Sequence, residues 1–232
     1  MFWYLLFAHF LGDYPLQPYW MVRYKTRFSV RLLHVSVHFV IMLALAGGSA
    51  LLLWPYLLVL AGVHFIIDSS KNMVNVLRPE WVAGPYVIDQ AVHFLSVGLV
   101  AAWIGRTFTL PSMLISQDLA ILAMGYLLAT YVWYISERIF ANRNPAYLKQ
   151  VEEQSWSRML VRAALLTVLI FTWRSLVRPG LAGLNSLGRG PAALALASAI
   201  HLPYTSTQER GRAILTDILV SLAMAVLVVW AS

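Results

Sequence analysis

From Leu32 to Ile67 the chain runs as two long apolar stretches, Leu32–Ala46 and Leu51–Ile67, separated only by Gly47-Gly48-Ser49. About 20 apolar residues in a helix match the roughly 30 Å hydrocarbon core of a bilayer. Lipid offers no partner to a bare peptide group, so such runs fold as helices whose backbone bonds are internal. Two of them joined across Gly-Gly-Ser predict a tight helical hairpin. The same kind of run recurs at Phe2–Leu11, continuing to about Val22, and at Val87 to about Ile104, between Pro85 and Pro111. It appears again at Leu119 to about Ile135, about Met159 to Leu176, and Ala213–Trp230. Gly180–His201 is apolar but is interrupted by Gly188-Arg189-Gly190-Pro191, and reads as a re-entrant segment, an interfacial segment or an eighth span. The expected fold is all-α, a polytopic transmembrane helical bundle of about seven spans, within a range of six to eight. Composition agrees: 60% of residues are hydrophobic and 12% charged, against about 45–50% and 25% in a soluble domain. A soluble globular protein and a disordered chain are both excluded.

The chain has no cysteine, which excludes disulfides, thiolate metal sites and a cysteine nucleophile. Its net charge of +7 is read as cytoplasmic loops and contacts with anionic lipid, not as a nucleic-acid surface. Arg23, Lys25, Arg27 and Arg31 lie between the first two spans without an acid, so that loop is placed in the cytoplasm and the N-terminus outside. The loops with Lys71 and Arg78, and with Arg138, Arg143, Lys149 and Arg158, then also face inward. The first segment has no basic n-region and no small-residue cleavage site, so it is expected to stay as a helix.

Five of the six histidines fall between positions 9 and 93, each with an ionisable partner four residues away. The pairs are His9 with Asp13, His34 with His38, His64 with Asp68, and Asp89 with His93. Residues i and i+4 share a helix face. Successive helices alternate in direction, and the pairs come late in the first and third and early in the second and fourth. All four therefore fall at one depth, on the cytoplasmic side, where an antiparallel bundle could bring five imidazoles and three carboxylates together. Intramembrane ionisable groups are costly and mark function. His9, Asp13, His34, His38, His64, Asp68, Asp89 and His93 are therefore the candidate metal ligands. Mixed imidazole and carboxylate donors suit a divalent transition metal such as Zn, Mn or Fe, as one or two ions. Asp68, Asp89 and Lys71 are the candidate catalytic groups, and Gln17 and Gln90 flank the ligands or the substrate. Gly12-Asp13-Tyr14-Pro15 is expected to distort the first helix. Glu137, Glu152 and Glu153 read as loop or helix-end charges, and His201 has no assigned partner.

The segments His9–Gln17, Leu33–His38, His64–Lys71 and Asp89–His93 resemble a family of small bacterial integral membrane proteins, domain of unknown function 3307. The resemblance covers about residues 1–130, with Tyr14 where a phenylalanine is expected. It implies a membrane protein and brings no established activity. A looser likeness is to bacterial membrane-bound metal-dependent hydrolases. From about Ser136 onward the chain resembles no named family.

These readings divide the chain into residues 1–135, the four-pair His/Asp bundle with a fifth span, and residues 136–232, membrane helices of unknown role. The leading functional expectation is a membrane-embedded metal-dependent hydrolase acting on a lipid-like or phosphoester substrate in the bacterial cytoplasmic (inner) membrane. The alternatives are a metal- or pigment-binding subunit of a membrane complex, and a metal ion or proton transporter. Expected partners are membrane lipids and a lipid-like substrate, with a complex partner or a second copy of the chain in the subunit reading, and no nucleic acid.

Overall fold

A computed structural model describes residues 1–109, 113–177 and 207–232. Every regular element among them is helical: α1 (Phe2–Asp13), α2 (Tyr19–Arg23), α3 (Phe28–Ala46), α4 (Ala50–Leu77), α5 (Ala83–Thr107), α6 (Gln117–Leu127), α7 (Trp133–Ala141), α8 (Pro145–Glu153), α9 (Ser155–Val177) and α10 (Thr207–Ala231). Five described segments are long and apolar enough to cross a membrane: Phe28–Leu77, Ala83–Thr107, Gln117–Ala141, Ser155–Trp173 and Arg210–Ala231. The first of these is the α3–α4 hairpin. This is the pattern of an integral membrane protein. Gly180–His201, with His201 itself, and Pro111 lie outside the described residues.

The helix ends follow from the sequence chemistry. α1 does not continue to Val22. It stops at Asp13, and a turn runs to Pro18, whose ψ of 156° caps the short α2. Pro15 and Pro18 lack the N–H that a continuing helix needs. At 12 residues, α1 rises only about 18 Å. The hairpin forms where the Gly-Gly-Ser sequence predicts it, with Gly47 at φ 53°, a region that glycine enters without steric cost. Leu114 N–H then bonds Leu45 O at 3.1 Å and holds the loop after α5 against the hairpin. α4 overruns its apolar stretch by ten residues, to Leu77. Ser70 bonds back to Ile66 O at 2.9 Å within it.

Two compact units divide the chain, Met1–Ala120 and Ile121–Ser232. In the first, α1 packs on α3 and α5, and α4 packs on the same two helices, a four-cornered bundle. Its interior at the hairpin end is apolar: Leu53, Leu57, Leu60, Ala61, Val97 and Ile104 are buried. In the second, α9 packs on α10, and both touch a π-helical turn, Leu128–Val132, that joins α6 to α7. α8 begins with Pro145 behind Asn144, whose side chain accepts from Tyr147 N–H at 3.2 Å, a standard N-terminal cap.

Candidate metal centre

The four-cornered bundle turns all four i,i+4 pairs inward. Because neighbouring helices run in opposite directions, the pairs resolve into two layers. His9, His38, His64 and His93 form the layer nearer the hairpin, with ring centroids 4.1 Å apart for His38–His64, 4.3 Å for His64–His93 and 4.7 Å for His9–His93. Asp13, His34, Asp68 and Asp89 form the layer nearer the basic loop. The five histidines, Asp68 and Asp89 are buried, and Asp13 is nearly so, with 9% of its side chain exposed.

Nε2 is the atom each imidazole turns to the centre. Asp13 Oδ1 lies 3.1 Å from Nε2 of both His34 and His38 and 3.7 Å from Nε2 of His64, and Asp13 Oδ2 lies 3.4 Å from Nε2 of His9. Asp68 reaches His34, His64 and His93 at 3.4, 3.6 and 3.9 Å. Asp89 faces His93 at 3.5 Å. Three overlapping groups can each hold a metal ion: His9, Asp13, His38 and His64; His34, His64 and Asp68; and Asp68, Asp89 and His93. Within each group the ligand atoms lie within 4.8 Å of one another. His9 Nε2, His93 Nε2 and Asp89 Oδ1 are buried without a hydrogen bond. Buried polar atoms are rarely left so, and each faces a ligand-type atom at 3.4 to 3.5 Å, a spacing that suits a cation.

On the hairpin side, His9, His38, His64 and His93 share a cavity of about 10 Å³ with Leu5, Met42, Leu60, Ser96 and Val97. That is room for about one water molecule. On the loop side stand Lys25 and Lys71. Lys25 Nζ lies 2.8 Å from Asp68 Oδ2, and Lys71 Nζ donates to Asp89 Oδ2 at 2.7 Å. Lys25 is not a loose loop residue. Its carbonyl accepts from Arg31 at 3.3 Å and from Asn72 at 3.4 Å, which pins the loop over the bundle.

Gln17 joins this rim. With its amide nitrogen donating to Asp13 O at 3.0 Å, its oxygen accepts from Lys25 Nζ at 2.9 Å. The same oxygen then faces His34 Nδ1, 3.4 Å from the amide. Gln90 donates to Asp89 Oδ2 at 3.2 Å. Tyr14 hydrogen-bonds Tyr86 at 2.8 Å beside them. Gly12 has a specific role: a Cβ there would lie 2.5 to 2.8 Å from three atoms of the His38 ring. Only glycine lets that ring lie against α1.

The second unit contains a cluster that the sequence reading missed. Glu137 is not a loop charge. It is buried in α7 with Arg158 and Arg162 of α9 and Asp217 of α10. Arg158 makes a fork to Asp217, Nη2 to Oδ1 at 2.8 Å and Nε to Oδ2 at 3.2 Å, and donates to Glu137 at 2.7 Å. Arg162 donates to Asp217 at 2.9 Å. Tyr147 of α8 donates to Glu137 at 2.6 Å. Burial and then that carboxylate push the phenol up to about 12, so it remains a donor. The i,i+4 spacings of Arg158 with Arg162 and of Asp217 with Ser221 were the available signal. Glu152 pairs with Arg138 at 2.7 Å and Glu153 with Lys149 at 3.7 Å, both exposed.

An all-helical membrane-type bundle with a buried histidine–aspartate centre is the class that this fold and site define. Residues 1–122 match the family described as Protein of unknown function (DUF3307), and the chain belongs to that family. No curated protein and no solved structure matches it.

Proposed function

We propose that the first unit is a membrane-embedded metal-dependent hydrolase, with a divalent transition metal, Zn, Mn or Fe, bound in the His/Asp cluster. One observation carries the reading: side chains from four helices bring Nε2 and carboxylate atoms, in three groups that could each hold an ion, to a buried centre that adjoins a cavity of one water's volume. A metal there would lower the pKa of a bound water and polarise a carbonyl or phosphoryl oxygen. Asp68 or Asp89 would take the proton, and Lys71, beside Asp89, would meet developing negative charge. The substrate class is a lipid-like ester or phosphoester reached from the bilayer, and the compartment is the bacterial cytoplasmic membrane.

The geometry disfavours the pigment and transport alternatives. His rings 4.1 to 4.7 Å apart, around about 10 Å³ of space, leave no room for a haem or chlorin. Among the described residues, buried Leu53, Leu57 and Ile104 fill the bundle beyond the cavity, which counts against an ion path there.

The test is turnover. Metal-loaded protein in lipid–detergent micelles is expected to cleave a carboxylic ester or phosphoester carrying an acyl anchor. Asp68→Asn should lower the rate by about 10²–10⁴, the range of a lost general base. Protein that binds metal yet cleaves neither ester class would remove the hydrolase reading and leave a metal-binding subunit.

A further inference from the structure

The two layers are not equivalent in charge. The three carboxylates have different partners: Asp68 and Asp89 each carry a lysine ammonium, at 2.8 and 2.7 Å, while Asp13 has no lysine or arginine among its ion-pair partners. Asp13 is surrounded instead by Nε2 atoms of four histidines within 3.7 Å. Both lysines are largely buried, with 13% and 24% of their side chains exposed. Their pairs therefore sit in a medium where charge is poorly screened.

We infer that the cluster takes one divalent ion and not two, in the nest of His9, Asp13, His38 and His64, with the ammonium groups of Lys25 and Lys71 standing where a second cation would. This rests on the metal reading above. Charge decides it. Counted with neutral imidazoles, as metal ligation requires, three carboxylates and two ammonium groups leave one negative charge, and the carboxylate without an ammonium partner is Asp13. One divalent ion among neutral imidazoles reverses it to a single positive charge, which one monoanionic ligand neutralises. Two divalent ions would leave three positive charges buried together, a cost that a low-dielectric site does not tolerate. Donor type agrees, since three imidazoles and one carboxylate form a complete four-coordinate set for Zn or a partial one for Mn or Fe. Position agrees as well: His9, His38 and His64 line the water-sized cavity as well as this nest. The group Asp68, Asp89 and His93 also offers three ligand atoms, but both of its carboxylates are already neutralised. Its role follows: the lysine-paired end holds the base and meets an anionic ligand, and the histidine end holds the ion.

The experiment is a stoichiometric titration of Zn or Mn into chelator-stripped, full-length protein in detergent, read by elemental analysis after desalting. Wild type is expected to hold one ion per chain. Asp13→Asn should lose it. Asp89→Asn should keep it, since this change removes the partner of Lys71 but leaves all four ligands of the nest in place. Lys25→Met with Lys71→Met should bind a second ion. Two ions in wild type, loss of the ion in Asp89→Asn with retention in Asp13→Asn, or a single ion in a helical, folded lysine double variant would each overturn the inference while leaving a metal centre in place. Wild type that binds neither metal would instead overturn the metal reading itself.

Discussion

Gly12 sets how closely α1 approaches His38, because any side chain at this position meets the imidazole ring. Gly12→Ala should push the ring off the centre. We expect about 1–3 kcal/mol of destabilisation, the usual range for overpacking, and weaker metal binding, both read from thermal unfolding with and without added Zn. An unchanged midpoint and affinity would show that the ring has another seat. In the second unit, Asp217 neutralises two buried arginines. Asp217→Ala leaves Glu137 as the one carboxylate facing both buried arginines and should cost about 3–5 kcal/mol, measured by denaturant unfolding in detergent. A loss below about 1 kcal/mol would show that water reaches the cluster. The eight histidines and aspartates were legible in the sequence because i,i+4 spacing is a direct readout of one helix face. Lys25 was not. Its three basic neighbours in the loop look the same in the sequence, and only the pinning of its carbonyl by Arg31 and Asn72 singles it out. Glu137, Arg158, Arg162 and Asp217 were missed because their partners come from three different helices. Charges near a span end otherwise read as loop residues.

At the scale of elements, apolar runs located the described long helices but not their ends. α4 continues through Asp68, Lys71 and Asn72 to Leu77. Its polar extension is bonded, with Lys71 on Asp89 and Asn72 on the Lys25 carbonyl, so loss of apolar character did not mark a terminus. α1 ends early, since two prolines outweigh the apolar residues that follow. The π turn at Leu128–Val132 left no periodicity signal, and Thr130 bonds Tyr126 O at 2.6 Å beside it. The hairpin was legible to the residue because Gly47 is a conformational requirement. Gly47→Ala places a Cβ at positive φ and 3.0 Å from Leu114 N. The expected loss is about 1–3 kcal/mol from backbone conformation alone, checked by unfolding against Gly48→Ala, whose Cβ would meet nothing within 4 Å. Equal effects at the two positions would contradict the strained-turn account.

For the whole molecule, the bundle of Met1–Ala120 is graded along its axis. An apolar plug is followed by a water-sized cavity, a histidine layer, an aspartate layer and a lysine rim under a basic loop. By the positive-inside rule we propose that this rim faces the cytoplasm. A cysteine introduced at Thr26 should therefore resist a membrane-impermeant thiol reagent in intact cells and react once the membrane is opened. Reaction in intact cells would invert the topology. On the proposed metal reading, an ion that binds only the assembled bundle would stabilise it by about 2.7 kcal/mol at one hundred times its dissociation constant. The most direct measurement is the metal content of protein purified in detergent, paired with its thermal midpoint before and after chelation. Wild type should carry about one transition metal per chain and lose midpoint on chelation. Zn or Mn should restore it, and His38→Ala should show neither the metal nor the response. Wild type with no stoichiometric metal, and a midpoint that ignores both chelator and added ions, would contradict the metal centre and the hydrolase reading built on it.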